Sequence, residues 1–220
     1  MKIKINEIFY SLQGEGLQVG VPTVFVRLFG CSLRCKWCDS MYAVEGNDYT
    51  EFTIDELINK IEKLRCEHIC ITGGEPLHQK VSLVNLTERL LENDHKILLE
   101  TAGHIEPMPI FKNPNVLISM DCKCPGSGME KKTNLNLLKD LEIKDQIKFV
   151  IKDLVDYEYA KNIFGAKDEN IKLMGGVHSA PSWHPDGELI YYSKKPKFPN
   201  KHGSKFYDIY SLEIETGTEK

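Results

Sequence analysis

Short β-branched and aromatic runs alternate along this chain with stretches of helical period. TVFVRLFG (23–30) reads as a strand, and TIDELINKIEKLR (53–65) follows with Ile54, Leu57, Ile58, Ile61 and Leu64 on one helical face. Thr53 and Glu56 form a capping box at the start of that helix. Strand HICIT (68–72) ends at Gly73 and Gly74, and a helix around SLVNLTERLLEN (82–93) comes next. The rhythm continues with strands at 96–101 and 115–121, a helix at 134–141, a strand at 146–151, a helix at 155–164 and a strand at 170–174. That makes six candidate strands from Thr23 onward, most separated by a helix-length connection, the pattern of a mostly parallel sheet with right-handed crossovers. The leading strand (1–10) precedes the repeat and is expected to add at an edge.

Ligands of such sheets and barrels bind beyond the carboxyl ends of the strands. The unusual residues collect there. Three cysteines follow the first of the six strands, Gly-Gly-Glu-Pro the second, ETAG the third and DCKCPGSG the fourth. One end of the sheet is expected to carry the chemistry. From Gly175 onward the helical period disappears, so 1–174 reads as one domain and 175–220 as an irregular extension, covering the site or contacting a second subunit.

Composition narrows the classes. With 41% hydrophobic and 27% charged residues the chain is an ordinary globular protein, and 220 residues suffice to bury a core without staples. A formal net charge of −4 argues against direct nucleic-acid binding. No apolar run approaches the about 18 residues of a membrane span, and the start lacks a signal-peptide centre, so a cytoplasmic protein is expected. Seven cysteines, an odd number in a reducing compartment, argue against a disulfide framework. Cys31, Cys35 and Cys38, spaced C-x3-C-x2-C, are more naturally metal ligands. A structural zinc site wants a fourth ligand from another loop, whereas a cubane cluster on three thiolates keeps one iron open. The spacing alone leaves both readings standing. Cys122 and Cys124 read as buried thiols, Cys66 as a helix-end and Cys70 as a strand-core thiol.

The cysteine loop with Trp37 before its last cysteine, followed by GGEP (73–76) at the next strand, resembles the radical S-adenosylmethionine (SAM) enzymes. The resemblance implies a partial (βα)6-type barrel and a 4Fe–4S cluster on Cys31, Cys35 and Cys38. An electron from that cluster cleaves SAM to a hydrogen-abstracting 5′-deoxyadenosyl radical. SLQGEG (11–16), Arg27 and Asp39-Ser40 further resemble the 7-carboxy-7-deazaguanine synthases. These enzymes turn 6-carboxy-5,6,7,8-tetrahydropterin into 7-carboxy-7-deazaguanine with loss of ammonia, on the way to the tRNA nucleosides queuosine and archaeosine, and SAM is regenerated after each turnover.

By that resemblance Leu12, Gln13, Gly14, Glu15, Arg27 and Thr72 would hold the substrate, with Glu15 and Arg27 at the reacting centre. A Gln and a Glu suit the donor–acceptor edge of a pterin, and an Arg suits its carboxylate. Ser40 would bind magnesium, an oxygen-seeking cation. Lys36, Trp37, Cys38, Asp39, Gly74, Glu75, Glu100, Gly103, Asp121, Cys122 and Lys123 would surround SAM, with Lys123 on its carboxylate. DCK (121–123) departs from the Ser-Pro-Lys usual in relatives, and the tail departs from the family's C-terminal strand. His104, where relatives have a small polar residue, reads as an incidental loop residue. A flavodoxin or ferredoxin donor and a homodimer are implied partners. The alternatives are an activase of a glycyl-radical enzyme, which would not need SLQGEG, and a zinc-binding interaction protein.

Overall fold

Alternation within the strands decides what each face of the sheet packs against. In the computed structural model, which describes residues 2–164 together with 182–183, 189–194 and 208–213, seven strands form one mixed sheet. They are β1 (Lys2–Leu12), β2 (Pro22–Leu28), β3 (Thr50–Thr53), β4 (His68–Gly73), β5 (Lys96–Thr101), β6 (Val116–Asp121) and β7 (Gln146–Lys148). Their order is β3-β1-β2-β4-β5-β6-β7, with β1 antiparallel to both neighbours and β2, β4, β5, β6 and β7 parallel in succession.

One face carries Val24, Val26, Leu28, Ile69, Ile71, Ile97, Leu99 and Ile118, and two helices cover it. Helix α1 (Ile54–Glu62) buries Leu57, Ile58 and Ile61, while α2 (Lys80–Glu92) buries Leu83, Leu86 and Leu90. Each such aliphatic side chain contributes about 1.5–3 kcal/mol on leaving water. The capping box at Thr53 and Glu56 forms as expected, the Thr53 hydroxyl accepting from the Glu56 amide and the Glu56 carboxylate from the Thr53 amide. A third helix, α3 (Leu154–Phe164), follows β7.

The structure corrects four expectations. The leading strand is not at the edge; β3, a segment without a strand signature of its own, pairs outside it. Residues 135–140 form a 3-10 helix rather than an α-helix, because Asn134 and Asn136 favour local side-chain and turn bonding over the i→i−4 ladder. The crossovers before β6 and β7 contain only 3-10 turns, so among the described residues the sheet is open and does not curl into a partial barrel. Finally, the segment read as irregular contains an antiparallel sheet of β8 (Ser182–Trp183), β9 (Leu189–Lys194) and β10 (Asp208–Glu213). The sixth expected strand, at 170–174, lies outside the described residues. No helix among the described residues is long and apolar enough to cross a membrane.

Candidate functional site

The face of the sheet opposite α1 and α2 changes character toward its carboxyl end. Its lowest row is apolar: Phe9 stacked on Phe25 at 4.8 Å, then Cys70, Leu98 and Leu117. Two residues further along each strand, on the same face, stand Glu7, Arg27, Thr72, Glu100, Ser119 and Gln146. Beyond these, Asp121 pairs with Lys148 across β6 and β7. A polar floor therefore spans six strands, immediately below the loops that carry the cysteines and GGEP.

The two loops are fastened to each other through backbone. Gly74 N donates to Leu28 O at 3.0 Å and Glu75 N to Gly30 O at 2.8 Å. A Cβ on Gly73, whose φ is +138°, would collide with the Leu28 carbonyl, and one on Gly74 with the carbonyls of Gly30 and Ala43. The Glu75 side chain is fully buried and accepts from Thr101 Oγ1 and from the Ala102 and Leu77 amides at 2.8–3.0 Å. Burial pushes its pKa up against the downward pull of those bonds. Glu75 thus locks GGEP to the end of β5. On the other side Lys36 N donates to Ser127 O at 3.0 Å, and Trp37 packs on Gly126. That turn is held in place by Asp156 of α3, which accepts from Gly126 N at 2.6 Å.

Residues 12–21 cross over the polar floor as a strap. Gln13, 3% exposed, uses its carbonyl oxygen to accept from the Gly14 and Glu15 amides and its nitrogen to reach Glu100 Oε1 at 3.3 Å. Glu100 Oε2 accepts from Thr72 Oγ1 at 2.7 Å. At the far side of the sheet, Lys148 Nζ binds Glu15 Oε2 at 2.7 Å and Gln146 Oε1 accepts from Leu17 N at 2.8 Å. Burial works against the charge of Lys148, but Asp121, Glu15 and Glu100 outweigh it and hold its pKa above the usual value. Arg27 is likewise engaged: its Nε donates to Glu7 Oε1 at 2.6 Å, and Tyr42 Oη donates to the same oxygen at 3.0 Å. Leu12 is exposed, and Gly14 has open space around its α-carbon.

Cys31, Cys35 and Cys38 are free thiols, each partly buried. Burial raises Cys31 and Cys35, and the charge of Lys123 lowers both, which places that amine within electrostatic reach of the loop. Ser40 Oγ lies 3.8 Å from Cys38 Sγ, and Asp39 is exposed within electrostatic reach of Arg27. Among the described residues no three His, Cys, Asp or Glu side chains are gathered as a single-ion site. Each thiolate of a cubane binds a different iron, so its ligands stand further apart than those of one zinc ion. Three free thiols, a glycine-lined edge and an adjacent cation suit the cluster. A second observation points to a ligand beside it. Lys123 Nζ donates to Asp121 Oδ2 at 2.6 Å, while Asp121 Oδ1 is buried without a hydrogen-bond partner. A bound donor such as a ribose hydroxyl or an amine would satisfy that oxygen.

The structure thus brings Gln13, Glu15, Arg27, Thr72, Glu100, Asp121 and Lys123 to one face and the cysteines above it. Gly103 sits at the same end, its carbonyl accepting from Asn134 N at 2.8 Å. Cys122 and Cys124 are fully buried with thiols pushed up by burial to about 11 and about 12, inert at neutral pH. Cys70 is buried in the strand core and Cys66 follows α1, as expected. Glu7, Tyr42, Gln146 and Lys148 were missed. For Gln146 and Lys148 the signal existed, a period of two in QIK, but only the strand order shows which face they share.

Comparison with known proteins agrees with this constellation. The family of 4Fe-4S single cluster domains matches residues 12–139. The 7-carboxy-7-deazaguanine synthase of Koribacter versatilis is 42% identical over 161 residues, covering 72% of this chain and 69% of that protein. The enzymes of the same name from Clostridium acetobutylicum and Thermoplasma acidophilum are 38% and 32% identical, over 82% and 84% of their lengths. The crystal structure of QueE from Escherichia coli superimposes with a TM-score of 0.63 at 27% identity, over 78% of this chain and 81% of that one. A cluster domain spanning the cysteine loop, and similarity over two thirds or more of these relatives, make the chain a member of the 7-carboxy-7-deazaguanine synthase family.

Proposed function

We propose that this chain is a radical SAM lyase that converts 6-carboxy-5,6,7,8-tetrahydropterin to 7-carboxy-7-deazaguanine with loss of ammonia, in 7-deazapurine biosynthesis. The observation that carries the reading is the polar row from Arg27 to Gln146 lying directly below the cysteine and GGEP loops, in a chain of this family. Bound cluster and SAM supply one-electron chemistry for hydrogen-atom abstraction; the protein's share is binding, orientation and exclusion of water. Cys31, Cys35 and Cys38 hold the cluster. Lys123 and Asp121 take the polar groups of SAM, with Gly74, Gly103, Lys36, Trp37 and Asp39 shaping its site.

Arg27, its Nε spent on Glu7, meets the substrate carboxylate with its outer nitrogens, and Ser40 would supply a hydroxyl oxygen to a magnesium ion. Glu15 accepts from the N–H groups of the pterin, Thr72 stands beside it, and Glu100, accepting from Thr72 and Gln13, lies toward SAM. Residues 1–174 form the catalytic domain and 175–220 a cover or subunit contact. The setting is cytoplasmic, with reduced flavodoxin or ferredoxin as donor and a homodimer as the working form. The test is anaerobic reconstitution with iron and sulfide, followed by SAM, magnesium, a reductant and the carboxytetrahydropterin. A product with the mass of 7-carboxy-7-deazaguanine is expected. SAM cleavage without that product would overturn the substrate assignment.

A further inference from the structure

His104, read from the sequence as an incidental loop residue, is engaged in the structure. It and His78 close on Ser32, the residue directly after the first cluster cysteine. Ser32 N donates to His78 Nε2 at 3.1 Å, and Ser32 Oγ shares a hydrogen bond of 2.9 Å with His104 Nε2. The two rings lie 6.0 Å apart. Behind them, His104 Nδ1 stands 3.6 Å from Oε2 of the fully buried Glu75. His78 Nε2 accepts, so its hydrogen is on Nδ1. Burial, with His78 and two lysines nearby, lowers the pKa of His104 to about 4, so its ring is neutral at working pH. Its Nδ1 is buried without a hydrogen-bond partner; with the one ring hydrogen there, Nε2 accepts the Ser32 hydroxyl proton.

Holding Ser32 from both its amide and its hydroxyl has a consequence one residue on. Leu33, whose side chain is 4% exposed, donates its amide to Cys31 Sγ at 3.3 Å. A hydrogen bond to a ligating sulfur stabilises the more negative, reduced cluster and so raises its reduction potential. Partners that fix a loop carrying metal ligands are a recurrent way of setting such details.

We propose that His104 and His78 are positioning residues of the cluster loop: by clamping Ser32 they keep the Leu33 amide on Cys31 Sγ and raise the reduction potential of the bound 4Fe–4S cluster. This rests on the cluster reading of the cysteines, which has its own readout in iron and sulfide content.

The experiment is an EPR-monitored redox titration of the full chain, reconstituted and without substrate, for wild type, Ser32→Ala, His104→Ala, the double variant and His104→Gln. Ser32→Ala and His104→Ala are expected to shift the midpoint to more negative potential. The double variant should go no further than the larger single shift, since both remove one contact. His104→Gln, whose amide oxygen can accept the Ser32 proton, should return toward wild type. A wild-type midpoint in Ser32→Ala, which leaves Glu75 and both rings in place, overturns the proposal even if His104→Ala loses its cluster. Additive shifts overturn it as well. A wild-type chain that takes up no iron and sulfide would instead refute the cluster reading.

Discussion

Lys148 reaches from β7 across the site to Glu15, and no other described contact ties that carboxylate to the sheet. Its role in the account is to hold Glu15 where a substrate N–H can meet it. Lys148→Met keeps the aliphatic stem and removes the ammonium. Product formation is expected to fall about tenfold, the worth of one charge-assisted hydrogen bond. Cleavage of SAM without substrate should fall by less, because Lys148 reaches the SAM side of the site only through its charge on Asp121 and Lys123. Both rates can be read from one chromatographic assay; an equal loss in the two would show that Lys148 serves the fold rather than Glu15. The residues that carry chemistry in the resemblance, from Gln13 to Lys123, were legible in the sequence because motifs surround them. Lys148 and Glu7 stand in strands with no motif, and their meaning depends on which side chains lie opposite. Glu75 shows the reverse limit: the motif marks it for SAM, while its bonds to Thr101 and Ala102 show it fastening two loops.

Between elements, the closest fit is that of GGEP against the start of the cysteine loop. Gly74→Ala would push a methyl group onto the carbonyls of Gly30 and Ala43. The cost is expected to be about 1–3 kcal/mol, measurable by urea denaturation of the protein without its cluster. Because those carbonyls belong to the loop that carries the thiols, reconstituted iron content should fall with it. Unchanged stability would mean that the two loops are not packed as described. Strand positions and the α1 cap were readable locally, since apolar alternation and a Thr53–Glu56 pair are properties of a few consecutive residues. The short β3 was not, because TEFT becomes a strand only by pairing with β1. Nor was the 3-10 helix at 135–140, where apolar spacing suggests a helix but asparagines set its pitch.

On the scale of the whole molecule, the sheet separates two tasks. One face is filled by aliphatic side chains under α1 and α2 and supplies the stability of the described body. The other passes from stacked phenylalanines to a row of charges, and the loops at its carboxyl end face that row. The parallel order from β2 to β7 was readable from the alternation of runs and crossovers. That the sheet is open among the described residues was not, because closure depends on strand tilt; the sixth expected strand lies outside them. The central claim is that this face rearranges a carboxypterin using SAM as a reusable cofactor. The measurement that tests it most directly is the amount of 7-carboxy-7-deazaguanine formed per SAM supplied under anaerobic turnover. Product is expected well in excess of SAM, with little 5′-deoxyadenosine accumulating. Deoxyadenosine accumulating with time while no deazaguanine forms would contradict it.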